Sequence, residues 1–275
     1  MNQSRRSLLL LILAVAFVAV PFLFWQSSWF GRRLDDSELN RYLGDSQRPR
    51  RIQHALSQIA DRIAGGDDSV ERWYGQVVSL THHPATSVRT AAAWVMGQDN
   101  TSKEFHRALL ELLQDPELMV RRNAALSLVR FGDSAGRTEI LAMLQSSLLR
   151  APEPGLVSHT LKIGQPLGPR GLLVRVQPAT GKKLEVRSPF AGQVSRILAA
   201  DGAHVAAGDP LVSVSPDSEQ VWEALRGLYF VGRPEDLPVV ERYGSPRGGV
   251  SDQLRRQALA TAQVIRSRSE RHPSR

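Results

Sequence analysis

The chain has 275 residues, 42% of them hydrophobic and 23% charged, which excludes a wholly disordered or collagen-like polypeptide and allows about two compact domains. It contains no cysteine, so disulfides, thiolate metal sites and cysteine nucleophiles are excluded. The net charge of +8 is carried almost wholly by arginine, since the only lysines are Lys103, Lys162, Lys182 and Lys183. Arginine dispersed along a whole chain fits biased codon usage as well as it fits a nucleic-acid surface.

Behind Arg5 and Arg6, residues 8–25 form an apolar run with one breaker, Pro21, near its end. As a helix those 18 residues rise about 27 Å, close to the hydrocarbon thickness of a bilayer. Trp25, Trp29 and Phe30 follow where an aromatic interface belt belongs. A cleaved signal peptide would have a shorter core, about 7–15 residues, ending at small side chains. Here the run ends in Phe22-Leu23-Phe24-Trp25, so residues 1–30 read as an uncleaved transmembrane anchor. The short basic N-terminus favours an N-in orientation. The expected location is therefore a bacterial inner membrane, with the bulk of the chain in the periplasm.

Residues 31–150 carry an internal repeat. Val88-Arg89-Thr90-Ala91-Ala92-Ala93 aligns with Val120-Arg121-Arg122-Asn123-Ala124-Ala125, and His83-Pro84 aligns with Asp115-Pro116. Leu254-Arg255-Arg256-Gln257-Ala258 is a further copy, within residues 217–275. An apolar residue followed four positions later by Ala or Leu puts both on one helical face, and small residues let neighbouring helices approach closely. The proline step ends one helix and turns the chain into the next. This grammar resembles HEAT repeats, which implies stacked helical hairpins and a binding scaffold. Arg89, Arg121 and Arg255 are expected to bond within the solenoid, and Trp94 and Met96 to lie in its core.

Composition changes at Ala151-Pro152-Glu153-Pro154-Gly155, and residues 151–216 have strand-and-turn character. This segment is itself duplicated. Gly155-Leu156-Val157-Ser158, Leu161, Gly164 and Leu173-Val174-Arg175-Val176 align with Gly192-Gln193-Val194-Ser195, Leu198, Gly202 and Leu211-Val212-Ser213-Val214. Two copies of a short β unit predict a quasi-twofold sandwich. Gly192, Gly202 and Gly208 are expected at tight turns or close backbone approaches, with Val194, Val205 and Leu211 pointing inward.

The second half, Val186-Arg187-Ser188-Pro189-Phe190-Ala191-Gly192-Gln193-Val194 with Gly202-Ala203-His204-Val205-Ala206-Ala207-Gly208-Asp209-Pro210-Leu211, resembles the biotinyl/lipoyl domain family, or barrel-sandwich hybrid. The resemblance implies a hairpin between the halves whose tip, in carriers, bears a modified lysine within Met-Lys-Met or Asp-Lys-Ala. Neither pattern occurs here; Gly181 takes the lysine's place, and Lys182 or Lys183 is reached only by shifting the register. No cofactor is therefore expected. Unmodified copies occur in periplasmic adaptor (membrane fusion) proteins, whose long coiled-coil hairpin this chain lacks.

The fold class expected is a multidomain α and β chain: a HEAT-like α-helical solenoid interrupted by a small β barrel-sandwich hybrid and preceded by one transmembrane helix. Residues 135–149 read as the first helix of a hairpin whose partner, over residues 218–231, comes after the β segment. No phosphate loop, nucleophile elbow or zinc-hydrolase helix is present, and no metal site is expected from the seven scattered histidines, His82-His83 reading as turn residues. The leading expectation is a non-enzymatic membrane scaffold or adaptor that binds protein partners, in an envelope transport or secretion assembly. The alternative is a biotin or lipoyl carrier modified on Lys182 or Lys183. Nucleic acid is not expected as a partner; acidic lipid headgroups are a candidate for the basic C-terminal tail.

Overall fold

The computed structural model describes residues 33–245 and 249–271. Residues 8–25, read as the membrane span, lie outside the described residues, as does the end of the basic tail. Among the described residues no helix is long and apolar enough to cross a membrane. The chain divides into two compact units, residues 1–76 and 77–275.

In the first unit, α1 (Asp36–Leu43) opens at a capping box, in which Asp35 Oδ1 accepts from the Glu38 N–H at 2.8 Å and the Glu38 carboxylate accepts from the Asp35 N–H at 3.2 Å. α2 (Pro49–Ala64) starts with proline, at a position where an N–H would have no helical partner. Its Ile52, Ala55, Leu56 and Ile59 share one face and are fully buried. A 3-10 turn (Asp68–Trp73) buries Trp73, whose indole N–H donates to Asn40 Oδ1 at 2.7 Å. Arg62 and Arg72 stack on its ring at 5.4 and 4.2 Å. Both also bond the Asp36 carboxylate, and these hydrogen bonds, from Arg62 above all, hold that carboxyl below its ordinary range.

After α3 (Tyr74–Ser79) and a 3-10 turn (Leu80–His82) come α4 (Thr86–Met96), α5 (Lys103–Leu112), α6 (Leu118–Arg130) and the short α7 (Arg137–Ala142). The sequence repeat is repeated in atoms. Val88 and Val120 are fully buried, as are Ala92-Ala93 and Ala124-Ala125. Arg89 Nη1 donates to the carbonyls of His83 and Pro84; Arg121 Nη1 donates to those of Asp115 and Pro116. Each guanidinium then reaches one step along the array, Arg89 to Asp115 at 2.7 and 3.0 Å and Arg121 to Glu139 at 2.8 Å. α4 and α6 approach so closely that a Cβ on Gly97 would lie 2.5 Å from Ser127 Oγ, which itself donates to the Ala93 carbonyl at 2.8 Å.

The helix expected over residues 135–149 is shorter than that. α7 ends at Ala142 and the chain turns into β1 (Ser147–Arg150) ahead of the compositional change at Ala151. Ile140, Met143 and Leu144 already complete the apolar face that packs against the later helices. Leu149 instead pairs with Val212 and packs on the core of the β unit.

That unit continues through β2 (Gly155–Ser158), β3 (Pro166–Leu167), β4 (Leu172–Gln177), β5 (Leu184–Arg187), β6 (Gly192–Ile197), β7 (His204–Val205) and β8 (Pro210–Pro216). They form two four-stranded antiparallel sheets, ordered β1-β8-β6-β3 and β5-β4-β2-β7. Replacing each of the first four strands by the strand four places later, and the reverse, converts one order into the other. The two halves interlock through matched bonds. Val157 donates to the Ala203 carbonyl and accepts from Gly202; Val194 donates to the Gln165 carbonyl and accepts from Gly164. Gly164 and Gly202 have φ of 82° and 79°, the left-handed region that glycine adopts without strain. Gly155 and Gly192 pass so close to the opposite strand that a Cβ would lie 2.5 Å from the Gln177 carbonyl oxygen and 2.2 Å from that of Ser215. Val194 and Leu211 are fully buried, and Val205 packs partly buried against the same core.

Asp217 then caps α8 (Ser218–Val231) by accepting from the Gln220 N–H at 2.8 Å. α8 packs Val221, Ala224, Leu225 and Leu228 in one core with Ile140, Met143 and Leu144. The β unit therefore interrupts a helical hairpin whose two members meet again behind it. A 3-10 turn (Pro234–Asp236), α9 (Leu237–Gly244) and α10 (Asp252–Arg271) complete the described chain.

Candidate functional site

On α4, the buried side chains Val88, Ala92, Val95 and Met96 define the inward face. Trp94 falls between them and is 45% exposed, so its expected place in the core is corrected. The run Ala91-Ala92-Ala93-Trp94-Val95-Met96 has no polar residue to mark the outward side, and spacing alone could not separate Trp94 from Met96, which is fully buried. Phe230, in the last turn of α8, is 63% exposed. Both rings line one depression of about 410 Å³ between α4, α6 and α8, with Leu126 and Val129 of α6 also contributing to its wall. The three elements that build it are the later helices of successive hairpins, so the depression follows from the stacking of the repeat.

Gln98, Asn123, Ser127, Arg130, Glu223 and Arg226 supply the polar part of the groove's lining. Arg226 pairs with Glu223 at 3.3 Å. Arg130, exposed in the last turn of α6, donates to Gln98 Oε1 at 3.2 Å and has no carboxylate within 4 Å among the described residues. Exposed aromatic rings beside a guanidinium are side chains enriched where proteins bind proteins.

A second feature ties the β unit to the helices. Arg122 of α6 is only 4% exposed; it donates to Gln220 Oε1 of α8 and lies over the Phe190 ring of the β unit at 4.6 Å. Burial pushes its pKa down to about 10. Gln220 in turn donates to the Met143 carbonyl at 3.0 Å, and Leu118 and Met119 pack on the β core. The repeat hides this role. Arg122 aligns with Thr90, whose hydroxyl merely bonds back to the Thr86 carbonyl of its own helix.

The structure places Lys182 and Lys183 in the loop between β4 and β5, both exposed, next to Gly181 at φ 110°. They lie on the β unit, apart in sequence and element from the residues of the groove. His82 is exposed and His83 buried, with His83 Nδ1 accepting from the Ala85 N–H at 3.0 Å, a turn-forming bond. Among the described residues no group of three or more His, Asp or Glu is placed to hold a metal ion. Several tail arginines have structural partners: Arg255 pairs with Asp252, Arg266 with Glu241, and Arg268 donates to the carbonyls of Tyr229, Phe230 and Gly232 at the end of α8.

Among known proteins, the family of HEAT repeats matches residues 76–155. No curated protein sequence matches the chain. A designed armadillo repeat protein is similar in structure, with 11% identity over 82% of this chain and 80% of that one at a TM-score of 0.42. A single-chain, multi-domain long-chain acyl-CoA carboxylase is similar over 38% of this chain, with 22% identity and a TM-score of 0.25; the chain spans 10% of that protein's length. The repeated helices within residues 76–155 are HEAT-like.

Proposed function

We propose that this protein is a membrane-anchored, non-enzymatic scaffold or adaptor that binds protein partners through its HEAT-like surface. The observation that carries this reading is the groove between α4, α6 and α8, which leaves Trp94 and Phe230 exposed on one face of the repeat array. The β unit is read as an unmodified biotinyl/lipoyl-like barrel-sandwich hybrid that adds a second docking face. Its support is the exchange symmetry of the two sheets together with the motif around Phe190 and Gly192. The apolar run over residues 8–25 supports anchoring, and the basic N-terminus supports a periplasmic body in an envelope transport or secretion assembly.

Mild-detergent purification after crosslinking tests this reading. It predicts a stoichiometric partner that is lost when Trp94 and Phe230 are replaced by serine; repeated recovery of a lone monomer contradicts it. The alternative, a carrier modified on Lys182 or Lys183, is favoured only by the exposure of both lysines at the β4–β5 loop. Intact-mass spectrometry of the native protein decides between them, since a carrier must show the added mass of biotin or a lipoyl group.

A further inference from the structure

We infer that the occupant of the α4–α6–α8 groove is a short acidic peptide segment of a protein partner, bearing an aromatic or leucine side chain that packs between Trp94 and Phe230. This rests on the scaffold reading above and adds the chemistry of the partner. Two exposed rings, one from α4 and one from α8, line a single depression of about 410 Å³, which has room for one or two apolar side chains. They do not select among apolar partners; the charged groups beside them do.

The groove's charge is uneven. Arg226 and Glu223 neutralise one another at 3.3 Å, whereas Arg130 has only the neutral amide of Gln98 as its side-chain partner. Its position in the last turn of α6 sets it against the negative end of that helix. A helix end offsets about half a charge, so the guanidinium keeps a net positive field over the groove. A planar guanidinium presents a fork of N–H donors that matches a carboxylate. A carboxylate arriving there gains a charge-assisted bond and displaces only a neutral amide, while a lysine arriving there meets like charge. Electrostatic complementarity of this kind selects the partner, and the apolar contact supplies the larger part of its affinity.

The test uses the full chain, purified in mild detergent, as the target for a displayed library of random dodecapeptides. Selected peptides are then measured individually by fluorescence anisotropy against the wild type, Trp94→Ser, Phe230→Ser and Arg130→Glu, with the melting temperature of each variant confirming its fold. The expected result is enrichment of peptides that combine Asp or Glu with Trp, Phe or Leu. Their affinity falls about tenfold or more in all three variants, and lysine-for-acid versions bind Arg130→Glu better than the wild type. If peptides that respond to Trp94→Ser and Phe230→Ser show no acidic excess, or bind Arg130→Glu unchanged, the inference is overturned while the scaffold reading stands. If no selected peptide responds to Trp94→Ser or Phe230→Ser, the groove is not a docking face and both are overturned.

Discussion

Replacing Arg122 by alanine and by methionine should have very different effects, and the difference measures how the β unit is held. Arg122 is 4% exposed, and its guanidinium donates to Gln220 Oε1 and lies 4.6 Å over the Phe190 ring. A hydrogen bond made by a charged group contributes about 1.5–3 kcal/mol, and a desolvated cation–π contact about 2. Against them stands the burial of the charge. A pKa pushed down to about 10 corresponds to a penalty of about 3 kcal/mol on the charged form. Attraction and penalty therefore cancel to within about 2 kcal/mol, and the side chain's volume becomes the larger contribution. Arg122→Met, which keeps most of the volume and removes the charge, should change stability by about 2 kcal/mol or less. Arg122→Ala also opens a cavity against Phe190 and strips Gln220 of a partner, and should lose about 3–4 kcal/mol. Urea denaturation followed by circular dichroism gives both values, and hydrogen exchange over residues 188–192 reports whether the β unit loosens. A methionine variant as unstable as the alanine variant would refute the cancellation and show that the charge itself holds the two parts together.

Other outcomes follow from the same geometry. Arg89→Ala removes a two-bond pair with Asp115 and leaves that carboxylate, 6% exposed, without its guanidinium; thermal denaturation should show a loss of about 3–5 kcal/mol. Gly192→Ala forces a Cβ to within 2.2 Å of the Ser215 carbonyl oxygen and should destabilise the β unit by about 1–3 kcal/mol, with Gly155→Ala behaving alike because it occupies the equivalent site. Asp36 has a lowered pKa, so its stabilisation is present above the ordinary carboxylate value and is lost as pH falls through the lowered one. Asp36→Asn should accordingly flatten the acid limb of the stability profile, as read from melting temperatures across that limb. Trp94→Ser and Phe230→Ser touch exposed rings and should alter stability by about 0.5 kcal/mol or less while abolishing partner recovery.

The repeat positions were legible because the same bond recurs at each. Val88 with Arg89 and Val120 with Arg121 announce a stacked helix pair before any coordinate is known, and the paired glycines Gly155/Gly192 and Gly164/Gly202 announce a duplicated β unit. What escaped the sequence is what a repeat conceals. Trp94 lies outside because the surrounding apolar run has no polar marker of its outward side. Arg122 looks like one more surface arginine, and its burial depends on Phe190, which reaches it only once the inserted β unit has folded. The early end of α7 has the same origin, since Leu149 prefers a strand partner, Val212, that lies beyond the insertion.

The proposed docking face lies on the later helices of the repeat. A photo-crosslinking amino acid placed in living cells at position 94, at position 230, and at the exposed control position Lys103 on α5 tests it most directly. Adducts to the same protein from positions 94 and 230, and none from position 103, are the expected result. Adducts missing from both groove positions, or equally strong from all three, would contradict it.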